Sequence, residues 1–397
     1  MALIALISGA RMQTHPELNR TTVIQPETRP EAPLRVAFHK ALWALSPLIL
    51  GIAGCNGGHT PPTPAFVYAA NNGSNNVSAF GVTPSSGALA PITGSPYAAG
   101  TSPAAIAADP AGKFVYVANV GSNNVSAYAT DLASGALATV PGSPFSTGIS
   151  PTSVTVHPSG KFVYAGFAGG ISAYTLDTST GALTPIAGSP FTGGAGIVIV
   201  DPTGRFLFTA DFNINKLSAF TINSQSGALT AVSGSPFSTG VGKNPLGMVV
   251  DPSGHFLYLG NTTDGTISAF SIDQVNGTPT PLAGSPFATG SEPRSLCVDP
   301  KGSFLFAGTF LDGKVSGYTI GASGGLTPIT GSPFAVGVGI SGVAVDASGK
   351  FLYVADFSPG SVRALSLDAS GVPTAISGFP FAAGSGTEAV VVTAKIQ

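Results

Sequence analysis

Ser134-Gly135-Ala136-Leu137-Ala138-Thr139-Val140-Pro141-Gly142-Ser143-Pro144-Phe145 decides the fold of this chain, because its last four residues return at a nearly fixed interval. Gly-Ser-Pro-Phe ends at Phe145, Phe191, Phe237, Phe287 and Phe334, with variants ending at Tyr97 and Phe381, spaced 46 to 50 residues apart. Between copies, alternation and turn residues mark out four short strands. A small aliphatic stretch such as Ala105-Ile106-Ala107-Ala108 stops at Asp109-Pro110, and a glycine turn follows. Next come two aromatics two residues apart, Phe114 and Tyr116, matched by Phe66/Tyr68 and Phe351/Tyr353; that spacing puts both on one face of a strand. A third stretch ends in an aromatic, as at Phe80 and Tyr128, and the fourth follows Ser-Gly-Ala-Leu into Gly-Ser-Pro-Phe.

A unit of roughly 45 residues with four strands cannot bury its apolar faces alone, so the copies must pack face to face, and seven of them close into a ring. The fold expected is all-β: a seven-bladed β-propeller of four-stranded blades. Proline lacks an N–H and is confined to strand ends and edges, which makes the fourth strand the outer one. The small aliphatic strand is then the inner one and lines a central channel. The first copy starts directly at its second strand, Phe66, whereas Glu388-Ala389-Val390-Val391-Val392-Thr393 has the inner-strand pattern with no second strand after it. The C-terminal strand is therefore expected to complete blade one and remove the open edge, giving a propeller over 65–397.

Hydrophobic residues make up 43% and charged residues 9% of the chain, and the strict aromatic period excludes a disordered reading despite 53 glycines and 33 prolines. Net charge is −2 with no basic stripe, which argues against nucleic acid as a partner. Ahead of the repeats, Arg35, His39 and Lys40 precede an apolar stretch from Ala41 to Ala53, too short for a bilayer span, which needs about 20 residues, and suited to a signal-peptide core. Its end, Ile52-Ala53-Gly54-Cys55, resembles the bacterial lipoprotein processing site. That resemblance implies an extension and signal over 1–55, lipidation of Cys55, a tether over 56–64, and an extracytoplasmic protein reaching a membrane only through its lipid anchor. The other cysteine, Cys297, reads as a small buried hydrophobe.

Tyr116-Val117-Ala118-Asn119 and Tyr353-Val354-Ala355-Asp356 resemble YVTN-type propeller repeats. The Ser-Gly-Ala-Leu to Gly-Ser-Pro-Phe segment is similar to that of the seven-bladed lactonase-like propellers, the group that includes 6-phosphogluconolactonase. This resemblance implies lactone hydrolysis by a Pro-Arg-His phrase at the start of an inner strand. Here the matching residues are Pro293-Arg294-Ser295: the arginine is kept and a serine stands in the place of the histidine. Only His157 and His255 lie in the blades, both in the turn at the opposite end, and the recurrent Asp109, Asp201, Asp251, Asp299 and Asp346 share that turn, where they read as caps of backbone N–H groups.

Charges expected at the channel mouth form the short list for function. Arg294 and Glu292 are the catalytic candidates, and Asp211, Lys243, Asp264, Asp312, Asp356 and Glu388 are candidates for ligand binding. Asp211-Phe212-Asn213-Ile214-Asn215 lacks the glycine and distant glutamate of a calcium loop, so neither metal nor cofactor is expected. The residues favour a monomeric binding module for a small molecule, a glycan or an envelope protein at one rim. The alternative is a lactone hydrolase using Arg294, with Glu292 or a neighbouring-blade carboxylate as base.

Overall fold

The computed structural model describes residues 65–194, 196–239 and 243–393; the expected export segment, Cys55 and the tether 56–64 lie outside them. Blade 2 illustrates how one repeat folds. Its inner strand Pro103–Ala108, second strand Phe114–Asn119, third strand Asn124–Thr130 and outer strand Leu137–Thr139 pair antiparallel in that order. The second strand is buried along its whole length, as its unbroken apolar run requires of a strand covered on both faces. The outer strand buries Leu137 alone.

Gly-Ser-Pro-Phe divides the blade edge in two. After Val140 the chain turns out through a cis Ser143–Pro144 peptide and returns as Phe145–Ser146, which pairs with the third strand at Val125 and Asn124. In the gap between the two pieces, the N–H of Ala127 would lack a partner, and Ser143 Oγ accepts it at 2.9 Å. The same bond recurs from Ala79 to Ser95, Ala173 to Ser189, Ala219 to Ser235, Ala269 to Ser285 and Gly317 to Ser332. The serine of the motif thus completes an interrupted ladder.

Neighbouring blades are tied by the second aromatic of the pair. Tyr116 donates its hydroxyl to the carbonyl of Gly181 in the next blade at 2.9 Å, Tyr68 to Gly135 and Tyr258 to Gly324. Gly181 has φ +80, and a Cβ there would meet the Phe114 ring at 2.4 Å, so glycine is required on both counts. Blade 7 joins blade 1 in the same way, with Tyr353 donating to Gly87.

Closure follows the expected route. The strand Thr387–Thr393 pairs antiparallel with Phe66–Asn71, with Tyr68 opposite Val391. Thr387 Oγ1 donates to Asn71 Oδ1 at 2.9 Å, and Val390 packs with Val67 and Tyr353 in the cluster between blades 7 and 1. All seven sheets are antiparallel, and the described residues contain no helix.

Candidate active site

In five of the seven blades, the pairing of the inner strand slips by one residue where that strand begins. The slip lies between Pro293 and Ser295 in blade 6, Pro103 and Ala105 in blade 2, Pro245 and Gly247 in blade 5, and Ile340 and Gly342 in blade 7. In blade 1 it lies between Thr387 and Ala389. A bulge of this kind leaves one residue unpaired and re-aims its side chain. The bulged residues are Ala104, Leu246, Arg294, Ser341 and Glu388; Thr152 stands at the same position in blade 3. All six line a cavity of about 390 Å³ at this end of the channel, walled by residues of all seven inner strands. Among the residues lining it, Arg294 and Glu388 alone are ionisable.

Arg294 is held on three sides. Glu292 Oε2 accepts from its Nε at 3.2 Å and from its Nη2 at 2.9 Å, and the Phe310 ring lies under the guanidinium with Cζ 3.5 Å from the ring centre. Phe310 is fixed in turn by its own N–H, which donates to the carbonyl of Glu292, and by an edge contact with Phe357. Nη1 makes no hydrogen bond among the described residues. Glu292 adopts φ +56, a left-handed conformation that the repeat also imposes on Ser102, Ser150 and Asn244 and that glycine fills at the matching Gly339 and Gly386.

Glu388 is partly buried and makes no hydrogen bond among the described residues. Burial pushes its carboxyl above the usual carboxylate range, and the charge of Arg294 offsets part of that rise. The cavity therefore holds a partly buried carboxyl and a guanidinium that favours its ionised form. Ser295, in the place where the resemblance implied histidine, accepts the N–H of Val343 in blade 7 and so braces two blades. Cys297 packs against the blade 7 core, where burial raises its thiol, the wrong direction for a nucleophile.

The remaining candidates stay outside the cavity. Asp211 accepts from the N–H groups of Asn213 and Ile214 in its own turn, Lys243 and Asp264 are exposed, and Asp312 is partly buried beside Thr309 and Gly290. Asp356 is fully buried and paired with Arg363. In blades 1, 2 and 5 the same two positions hold Asn71/Ser78, Asn119/Ser126 and Asn261/Ser268, hydrogen-bonded to each other. Asp356 is thus a charged version of a strut within the blade. At the far end, Asp109 accepts from the N–H groups of Ala111 and Phe114, and His157 takes over that capping role. His157 Nδ1 accepts from the N–H of Ser159, which assigns the proton to Nε2, where it donates to the carbonyl of Gly204 at 2.8 Å. Among the described residues, no cluster of three or more His, Cys, Asp or Glu is placed to hold a metal.

A ring of seven four-stranded blades is the architecture of the lactonase propellers. The chain belongs to the lactonase family of seven-bladed β-propellers, whose model matches residues 59–144, 141–246, 189–290, 245–339 and 285–389. Among solved structures it is similar to a candidate 6-phosphogluconolactonase from Bacteroides uniformis, with 20% identity, a TM-score of 0.72, and coverage of 83% of this chain and 99% of that one. It is also similar to a periplasmic gluconolactonase from Pseudomonas aeruginosa, with 18% identity, a TM-score of 0.70, and coverage of 84% and 99%. At these identities the likeness is one of fold. A search of curated proteins found no match.

Proposed function

We propose that this protein hydrolyses lactones at the channel mouth. One observation carries the reading: the two ionisable side chains lining the cavity, Arg294 and Glu388, both stand at the bulge position and complement each other chemically. Opening a cyclic ester needs a base for water and donors for the developing oxyanion. Glu388 takes a proton from water as its oxygen bonds to the lactone carbonyl carbon. The negative charge on the former carbonyl oxygen is met by the free Nη1 edge of Arg294. Collapse breaks the bond to the ring oxygen, which leaves with the proton held by Glu388, and Arg294 then faces the product carboxylate. Glu292 and Phe310 are positioning residues that fix the guanidinium plane.

The test is turnover of a lactone panel by the purified protein and by Arg294→Ala. Loss of an oxyanion donor costs roughly 100- to 1,000-fold in kcat. A folded Arg294→Ala protein with undiminished turnover would refute the assignment, and a wild-type protein inert to every lactone would return the module to a binding role. The export reading joins this proposal: the Pseudomonas aeruginosa relative in fold is described as periplasmic, and a Cys55→Ser protein found in the soluble rather than the membrane fraction would support lipid anchoring.

A further inference from the structure

The cavity is chemically two-sided. Arg294, Ser341 and Glu388 come from blades 6, 7 and 1, whereas the side chains lining the cavity from blades 2, 4 and 5 are apolar, namely Ala104, Ile106, Ile197, Leu246 and Met248, with Thr152 and Ser153 of blade 3 between them. The inner strands offer backbone polar groups all round the channel, so discrimination falls to the side chains. Of the hydroxyls at the cavity, those of Ser153, Ser295 and Ser341 are already bonded to neighbouring backbone groups. Thr152 Oγ1 alone is buried with no partner.

A polyhydroxylated lactone would bring several hydroxyl groups to a wall with one free side-chain partner, and each buried group left unpaired is costly. A phosphorylated lactone would add a dianion to a site where one guanidinium already faces two carboxylates, Glu292 and Glu388. An alkyl group suits the wall. The apolar surface continues outward: four of the six exposed large hydrophobics among the described residues lie in loops at this end, namely Ile149 (72%), Ile214 (58%), Leu311 (67%) and Val338 (61%). Ile149 and Val338 stand three residues ahead of the cavity-lining Thr152 and Ser341, the position that exposed Lys243 takes ahead of Leu246.

We infer that the ligand of this site is an uncharged lactone bearing an alkyl substituent, not a sugar lactone or its phosphate. The inference rests on the lactonase reading for its carbonyl chemistry and on the apolar wall for its selectivity. The substituent lies against Leu246 and Ile197, on the apolar side of the cavity.

Two measurements on the full chain separate the two ideas. The first compares kcat/KM for δ-lactones of increasing 5-alkyl length with glucono-δ-lactone and its 6-phosphate. The second measures calorimetric affinity for the matching alkyl δ-lactams, which bind without turning over. Each methylene that leaves water is expected to raise kcat/KM and affinity about four-fold, and Leu246→Asn is expected to lower that gain. Lactam affinity that grows with chain length while no lactone is opened supports the ligand class and refutes the hydrolase. Preference for the sugar lactones, or no dependence on chain length in either measurement, overturns the inference and, where turnover is seen, leaves the hydrolase standing.

Discussion

Replacing Glu388 by glutamine tests the site through two effects of opposite sign. The carboxylate makes no hydrogen bond among the described residues, so the amide strands no protein partner. As general base, Glu388 is expected to supply about 100- to 10,000-fold of the rate, equivalent to roughly 2.7–5.5 kcal/mol of transition-state stabilisation at about 1.36 kcal/mol per decade, and Glu388→Gln should lose most of it. Stability should move the other way. Because burial raises the folded-state pKa of Glu388 above its unfolded value, the folded state binds the proton more tightly, and stability falls as pH rises through the interval between the two values. Glutamine removes that penalty, so the variant should melt above wild type at neutral pH, and the gain should vanish below the ordinary glutamate range of about 4.3. The same raised pKa places the acid limb of kcat/KM above the range of an unperturbed carboxylate. Rates by pH-stat and thermal melts across pH check all three. A Glu388→Gln enzyme with wild-type kcat/KM, or one less stable at neutral pH and equally so in acid, would refute the reasoning.

Cutting the chain after Gly386 removes a strand that places Val390, Val391 and Val392 in the two clusters flanking blade 1. At the area value for partly buried valines this is about 5 kcal/mol, comparable with the whole stability of many domains at about 5–15 kcal/mol, and it bares the edge of Phe66–Asn71. Aggregation or unfolding is expected; a monomer with an unchanged melting curve would contradict ring closure. Arg363→Ala leaves Asp356 buried without its partner and should cost about 3–5 kcal/mol, whereas the double change Asp356→Asn with Arg363→Ser recreates the Asn71/Ser78 pair and should recover most of that in denaturant titrations. Glu292→Gly relieves the left-handed backbone, gaining about 1 kcal/mol, yet frees the guanidinium and should lower kcat/KM by up to about 100-fold. Melting and kinetics moving in the same direction would argue against a positioning role.

The architecture could be read from the sequence because it is written seven times: aromatic pairs, Asp-Pro turns and edge prolines each report a local requirement of a strand or turn. The closing strand could be read because Phe66 begins a repeat without an inner strand and Glu388–Thr393 begins one without the rest. What escaped was pairing by one residue. A bulge has no residue signature: Ala104, Leu246, Arg294, Ser341 and Glu388 share only a position. Hence Arg294 and Glu388 were both candidates, but nothing along the chain joined them, and Glu292, a candidate base, is instead the partner of the guanidinium. Asp356 looked like a mouth charge because single copies do not reveal internal pairs. Comparing it with Asn71, and Arg363 with Ser78, exposes the strut, a signal present in the repeats themselves. The serine of Gly-Ser-Pro-Phe was legible as a motif, while its task of filling a gap in the ladder depends on which N–H the split edge leaves bare, a matter of register between strands.

That the sealing strand also bears Glu388 sets a condition in time. A nascent chain carries the blade 6 arginine well before it carries residue 388, and the two can meet only after residues 387–393 have left the ribosome and docked beside Phe66–Asn71, made long before. Completion of the circle and assembly of the Arg294–Glu388 cavity are then a single event, so under the proposed hydrolysis half-made or clipped chains would be silent wherever they accumulate.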